Sequence, residues 1–166
     1  MNKPSFDIYE AYEEAYKSDC AEVGRDQHIV NYFIVGHPGT TLKDALHLFE
    51  KLLDRNYSPE QVQEFIPLPM TRACVQYVTG KDPITLEELY VPRGGRERRV
   101  QKALVRWKAP ESRPLVEEAL REAGREDLLP RFRHLASQAA KKSGQKKKGS
   151  GRSKHCLLYT SDAADE

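Results

Sequence analysis

The order of apolar and polar residues along the chain predicts a helix, a strand–helix–strand unit and a group of further helices. The first helix is indicated by apolar residues spaced three or four apart, and Gly24 ends it. The residues that share this face are Phe6, Tyr9, Tyr12, Tyr16, Cys20 and Val23. The run from Ile29 to Val35 is almost entirely β-branched or aromatic, which is typical of a strand buried on both faces of a parallel sheet.

A second helix and a second strand follow this run. Thr41 and Asp44 have the spacing of a capping box, and apolar residues at helical spacing continue to Leu53. A strand is predicted from Gln61 to Ile66, and it ends where the prolines of Pro67-Leu68-Pro69 remove amide donors. Strand, helix and strand in this order form a βαβ unit of a parallel sheet with a right-handed crossover. Two strands and one helix cannot bury both faces of a sheet, so we expect other elements to cover it.

Beyond Thr71 the pattern indicates loops and helices. Glycine and proline mark loops between residues 80 and 95, and apolar periodicity predicts helices over about 96–107, 112–124 and 125–140. Residues 141–154 contain no apolar side chain, so we expect them to be disordered.

Composition and charge narrow the class of protein. With 39% hydrophobic and 31% charged residues, the chain suits one domain of ordinary size. No run of 18 apolar residues occurs and the amino terminus lacks an apolar leader, so neither a membrane-spanning nor a secreted protein is predicted. Cys20, Cys74 and Cys156 are far apart, which argues against a disulfide framework and favours a reducing, cytoplasmic compartment. The net charge is +2, but the positive charge is concentrated in a tail, residues 141–154, which has seven Lys or Arg and no acidic residue.

The segment most typical of a binding site is Gly36-His37-Pro38-Gly39-Thr40-Thr41. It follows a predicted parallel strand and precedes a helix N-terminus, which is where α/β proteins place sites for anionic groups. Lys43 follows both threonines, so the segment does not have the order of a phosphate-binding P-loop. The alternative is a tight strand-to-helix connection whose glycines only supply positive φ. His37 is either a proton carrier or ligand, or a loop residue that bonds the backbone, and Cys74 is interpreted as a buried thiol.

An ordered series of stretches resembles the carboxy-terminal part of the YgiQ-type radical SAM proteins. The resemblance covers roughly residues 1–140. Its stretches are Met1–Pro4, Tyr32–Ala45, Pro59–Gln63, Tyr77–Pro83, Val91–Gly94 and Arg98–Leu104.

This resemblance implies an α/β fold: the late βαβ portion of an incomplete radical SAM (β/α) barrel, a mainly helical carboxy-terminal extension and a disordered tail. The corresponding divisions are residues 1–83 for the barrel part, 84–140 for the helical extension, 141–155 for the basic tail and 156–166 for a terminal segment. The back-translation of that last segment resembles a sequencing-library adapter, so we expect it to be adapter read-through; a genuine carboxy terminus is the alternative.

The resemblance also implies two cofactors, a [4Fe-4S] cluster and S-adenosylmethionine, which together generate a 5′-deoxyadenosyl radical. The family holds its cluster with a Cys-x-x-x-Cys-x-x-Cys motif, and this sequence contains no such motif. We therefore expect Met1 to be an internal methionine and this chain to be a fragment that is inactive alone. The substrate is not implied.

The same resemblance implies where this chain would touch the cofactor. Ile34, Gly36, Pro38 and Gly39 would lie beside S-adenosylmethionine, and the backbone around Phe65 and Ile66 would border its adenine. Where family members often have Pro-x-Pro-Gly-Thr, this chain has Met70 in place of the glycine.

A rival hypothesis treats the chain as a free-standing interaction module whose basic tail binds RNA or an acidic partner. The run Lys146-Lys147-Lys148 has the charge for counterion release, but no aromatic residues are interleaved with it. We therefore favour a solvated tail over nucleic-acid binding.

Overall fold

Helices account for most of the fold, which we describe from a computed structural model over residues 5–149, without the side chains of residues 142–149. The elements in chain order are α1 (Phe6–Glu22), β1 (Ile34–Val35), α2 (Leu42–Asp54), β2 (Gln63–Glu64), α3 (Arg72–Thr79), α4 (Gly95–Val105), α5 (Arg113–Glu122) and α6 (Leu129–Gly149). Short 3₁₀ turns at Pro110–Ser112 and Glu126–Leu128 lead into α5 and α6. The fold is therefore mixed and mostly helical, with a small two-stranded parallel sheet.

The βαβ unit is confirmed. β1 and β2 are parallel, with Ile34 opposite Gln63 and Val35 opposite Glu64, and α2 connects them. The predicted capping box is also present. The Thr41 hydroxyl accepts the Asp44 amide at 3.3 Å, and the Asp44 carboxylate accepts the Thr41 amide at 2.8 Å. The Thr41 hydroxyl also donates to the Asp44 carboxylate at 2.6 Å, and this bond together with the one from the Thr41 amide lowers the pKa of Asp44 below its ordinary value.

The first strand differs from its prediction in length and burial. We expected Ile29–Val35 to be buried on both faces, but only Ile34–Val35 is strand, and Val30 and Tyr32 are 79% and 75% exposed. Val35, in contrast, is buried in the core. The alternation has a simple cause, since α4 packs on β1 from one side and no element between residues 5 and 149 covers the other side. Burial on both faces is therefore wrong for this part of the chain.

The core lies between α2 and the helices of the carboxy-terminal half. Phe132 of α6 meets Phe49 of α2 and Trp107 edge to face, with ring centroids 6.0 and 6.4 Å apart. The Trp107 indole also donates to the Tyr57 carbonyl at 2.9 Å, so the largest core side chain has its polar atom satisfied. The three helices predicted after residue 95 are confirmed, with shifts of a few residues at their ends. Apolar periodicity was reliable there because those helices bury one continuous face.

Helix α3 was missed by the sequence pattern. It has only eight residues and buries none of them fully, so its apolar periodicity is too short to stand out from the surrounding loops. Its end signals are nevertheless local. Thr71 accepts the Cys74 amide at 3.1 Å at the start, and Gly80 ends the helix in the left-handed conformation with φ of +68°.

Residues 141–149, which we expected to be disordered, are helical and extend α6 beyond its predicted end. α6 continues to Gly149, because the lysines and the glutamine of this stretch are good helix formers and a docked helix extends at little cost. The rest of the basic tail and the terminal segment 156–166 lie outside the described residues. Among the helices that are described, none is long and apolar enough to cross a membrane.

The backbone at Met70 supports a stability prediction. Met70 has φ of +65° and a fully exposed side chain, so it pays the steric cost of a left-handed residue without gaining buried contacts. Glycine, which the family often has at this position, avoids that clash. Met70→Gly should therefore raise the free energy of unfolding by about 1 kcal/mol in urea titrations. Met70→Ala keeps the β-carbon and is the matched control. A loss of stability in the glycine variant would contradict the assigned backbone.

Candidate functional site

The Gly36–Thr41 loop connects the carboxyl end of β1 to the first turn of α2. Gly36 and Gly39 have φ of +74° and +87°, as the tight-connection alternative requires. The Thr40 amide donates to the His37 carbonyl at 3.0 Å and closes the turn between the two glycines. The loop thus has one defined backbone path.

Residues from the carboxy-terminal half hold this path in place. The Gly36 amide donates to Gln101 Oε1 at 2.8 Å, and Gln101 Nε2 donates to the Thr40 carbonyl at the longer distance of 3.4 Å. The Gly39 amide donates to the Tyr90 carbonyl at 2.7 Å. Gln101 lies 65 residues after Gly36, and no local sequence pattern links the two. The sequence alone therefore could not predict that Gln101 bonds this loop. The only available signal was its position within a stretch of family resemblance.

Neighbouring side chains also account for both glycines. A β-carbon at Gly36 would lie 3.1 Å from Arg98 Cδ, and one at Gly39 would lie 3.3 Å from Leu89 Cδ1. Both spaces are therefore occupied by the chain itself. The glycines allow the segments around Leu89 and Arg98 to pack against the loop.

His37 is buried within the loop. Its Nδ1 lies 2.7 Å from the Pro38 carbonyl, and its ring meets Phe65 edge to face with centroids 5.0 Å apart. Burial lowers the pKa of His37, because the imidazolium loses hydration there. This geometry corresponds to the alternative in which His37 is a loop residue that bonds the backbone. Within residues 5–149, no group of three or more His, Cys, Asp or Glu side chains could hold a metal ion.

The residues implied as cofactor contacts occupy one end of the sheet. The Phe65 amide donates to the Val35 carbonyl at 2.8 Å, so parallel pairing continues past β2 and puts Phe65 on the same face as Ile34. Gly36, with φ of +74°, leaves the extended conformation, and its β-carbon position faces Arg98 of α4. Ile34 is 37% exposed, and Phe65 is half-buried between His37 and Tyr77. Pro38 is buried in the loop, Gly39 is exposed beside Leu89, and Ile66 is exposed beyond the strand end.

The cysteines do not meet at this site. Cys20 is buried on α1 and Cys74 is half-buried on α3, and both thiols are free. The pattern predicts a buried thiol at Cys74, and its half-buried position reflects the thin packing around α3. Cys156 lies outside the described residues.

The fold and the loop define the class of this chain: a strand–loop–helix unit of a parallel sheet, joined to a helical extension that holds the loop. Residues 60–165 match the family described as "Domain of unknown function (DUF3362)", and the chain belongs to that family. It is also similar to UPF0313 proteins, and UPF0313 is the YgiQ-like family, so the family resemblance is confirmed at that level.

Three of these relatives illustrate the similarity. The UPF0313 protein of Methanocella arvoryzae is 45% identical over 129 residues, which are 78% of this chain and 22% of that protein. The relatives from Clostridium perfringens and Methanosarcina acetivorans are 42% and 43% identical over 78% of this chain and 20% and 17% of their own lengths. The chain thus spans about a fifth of the length of the curated relatives it matches. No solved structure matches this chain significantly.

The buried histidine predicts a pH dependence. Because its pKa is lowered from about 6.5, the folded state binds this proton less well than the unfolded state does. Stability should therefore fall as the pH drops below about 6.5, and His37→Gln should lose less stability between about pH 7.5 and 5.5. Urea unfolding at both pH values measures this. His134→Gln, at an exposed position of α6, is the control. An equal pH response of wild type and His37→Gln would refute the assignment.

Proposed function

We propose that this chain is the carboxy-terminal part of a cytoplasmic radical SAM enzyme, and that its Gly36–Gly39 loop and the neighbouring sheet face contact S-adenosylmethionine. In the full-length protein a [4Fe-4S] cluster and S-adenosylmethionine together supply a 5′-deoxyadenosyl radical. The contacts assigned to this chain are Ile34, Gly36, Pro38, Gly39, Phe65 and Ile66. The substrate of the full-length protein stays open.

One observation carries the proposal: an apolar sheet face next to a rigid loop is left partly uncovered. On that face Ile34 is 37% exposed, and Phe65 is half-buried against His37 and against Tyr77 of α3. Such a surface at the carboxyl end of parallel strands is where α/β folds bind nucleotides. The small size of this chain relative to its relatives supports the view that other segments complete the barrel.

The described residues fit the adenosine part of S-adenosylmethionine. An adenine ring needs apolar surface and close backbone approach, and the exposed edge of Ile34 beside Phe65 offers both. Because Arg98 and Leu89 fill the spaces at the two glycines, the loop would contribute its outer backbone surface and not an empty cradle. These residues orient a cofactor and carry no proton or electron.

The described residues do not fit the cluster. Thiolates hold iron–sulfur clusters, and the two described cysteines, Cys20 and Cys74, lie on separate helices that contribute no third ligand. We therefore assign cluster binding to a part of the full-length protein that precedes these residues, and derive no step of it here.

The cluster assignment is tested by anaerobic reconstitution of the 166-residue chain with iron and sulfide. We expect no stoichiometric [4Fe-4S] absorption or iron content, because the ligand set is missing. The double variant Cys20→Ser/Cys74→Ser controls for adventitious iron, and a full-length UPF0313 protein treated in parallel should acquire a cluster. A stoichiometric cluster in this chain would overturn the assignment of cluster binding to another part of the protein.

Cofactor contact is tested in the full-length protein that contains this chain. Ile34→Asp should weaken S-adenosylmethionine binding about tenfold in equilibrium dialysis, because a charge replaces apolar contact. Val30→Asp is the control, since Val30 is also apolar and lies on the segment leading to β1, but it is more exposed, at 79% against 37% for Ile34, and four residues farther from the loop. Equal weakening by the two variants would argue against a specific contact at Ile34.

A further inference from the structure

Gln101 occupies a position that the implied cofactor contacts do not explain. It lies on α4, outside the βαβ unit, and its side chain is 1% exposed. A buried amide is costly unless its polar atoms are bonded. Both of its polar ends bond the backbone of one loop, since Oε1 accepts from Gly36 and Nε2 donates to Thr40, and Nε2 also donates to Glu97 of the same helix at 3.5 Å.

The two contacts span the loop. Gly36 is its first residue, Thr40 precedes the N-cap of α2, and between them lie Pro38 and Gly39. One rigid side-chain amide therefore sets the separation of the loop ends. The bond to Gly36 is the stronger, because 2.8 Å is an ordinary hydrogen-bond length and 3.4 Å is long.

Arg98 reinforces the same contact. It precedes Gln101 by three residues, so both side chains leave the same face of α4. The Arg98 stem fills the space beside Gly36, with Cδ 3.1 Å from where a β-carbon would stand. Gln101 has no exposed surface on the open side of the loop, so it cannot itself touch a bound ligand.

We infer that Gln101 is a positioning residue, through which the helical extension sets the loop geometry needed for S-adenosylmethionine binding. The inference rests on the proposed function, in that the loop is taken as part of the cofactor site. It gives the helical extension a role in binding, because α4 supports the loop from behind.

Gln101→Met tests this, since methionine keeps the length of the side chain and removes both hydrogen bonds. Exchange of the Gly36 amide, followed by NMR in the 166-residue chain, should become at least about tenfold faster. S-adenosylmethionine binding by the full-length protein, followed by equilibrium dialysis, should weaken about tenfold. Gln101→Glu keeps an acceptor for Gly36, so it should retain more of the protection and more of the affinity. If Gln101→Met does not fold, the comparison of Gln101→Glu with the wild type tests the inference instead.

The control is Arg99→Gly, which lowers the helix propensity of α4 at an exposed position two residues away. It should destabilise the helix while leaving both the Gly36 exchange and the cofactor affinity near wild type. Equal effects of Arg99→Gly and Gln101→Met on the two readouts would reduce Gln101 to a general stabiliser of α4 and overturn the inference. Unchanged Gly36 exchange in Gln101→Met would overturn it as well. A wild-type full-length protein that binds no S-adenosylmethionine would overturn the proposed function instead, and the exchange experiment would still decide whether Gln101 holds the loop.

Discussion

The hydrogen bond from the Gly36 amide to the buried Gln101 side chain is the contact on which the arrangement of the candidate site depends. It joins the end of β1 to α4 across 65 residues of sequence. Without it, the Gly36 amide and the Gln101 side-chain oxygen would both be buried without partners, and each such group costs roughly 1–3 kcal/mol. The chain avoids that cost only when α4 is docked in one register against the loop. Loop conformation and helix packing are therefore coupled.

That docking explains why the βαβ unit and the helical extension form one body. α4 contacts α2 and β1, and the core continues through Trp107 to α5 and α6. The extension thus covers one face of the sheet, while the face with Val30, Tyr32 and Ile34 stays uncovered by the described residues. A two-stranded sheet with one bare face is incomplete by the packing rules of α/β folds.

Helix α1 shows how weakly an element is held when its apolar stripe finds no partner. Its pattern predicted the helix correctly, yet Cys20 is its one buried residue, and Phe6 and Tyr12 are exposed. Its described attachment to α2 is largely electrostatic. Arg55 donates to Glu10 at 2.6 Å and to Glu13 at 2.9 Å and lies over the Phe6 ring. Partly exposed pairs of this kind contribute little stability each, so α1 is only weakly attached to α2.

The sequence by itself determined what depends on neighbouring residues. The capping box at Thr41 and Asp44, the helix ends at Gly24 and Gly124 and the parallel βαβ order could all be predicted, because each follows from local sterics or hydrogen bonding. α3 was not predicted, because a helix of eight residues is too short for its apolar periodicity to stand out. Only the tertiary structure decided that Gln101, Arg98 and Leu89 surround the loop, and that one face of β1 is bare. Contacts between residues so far apart in the chain leave no periodicity to detect, since they arise from how α4 docks on the sheet.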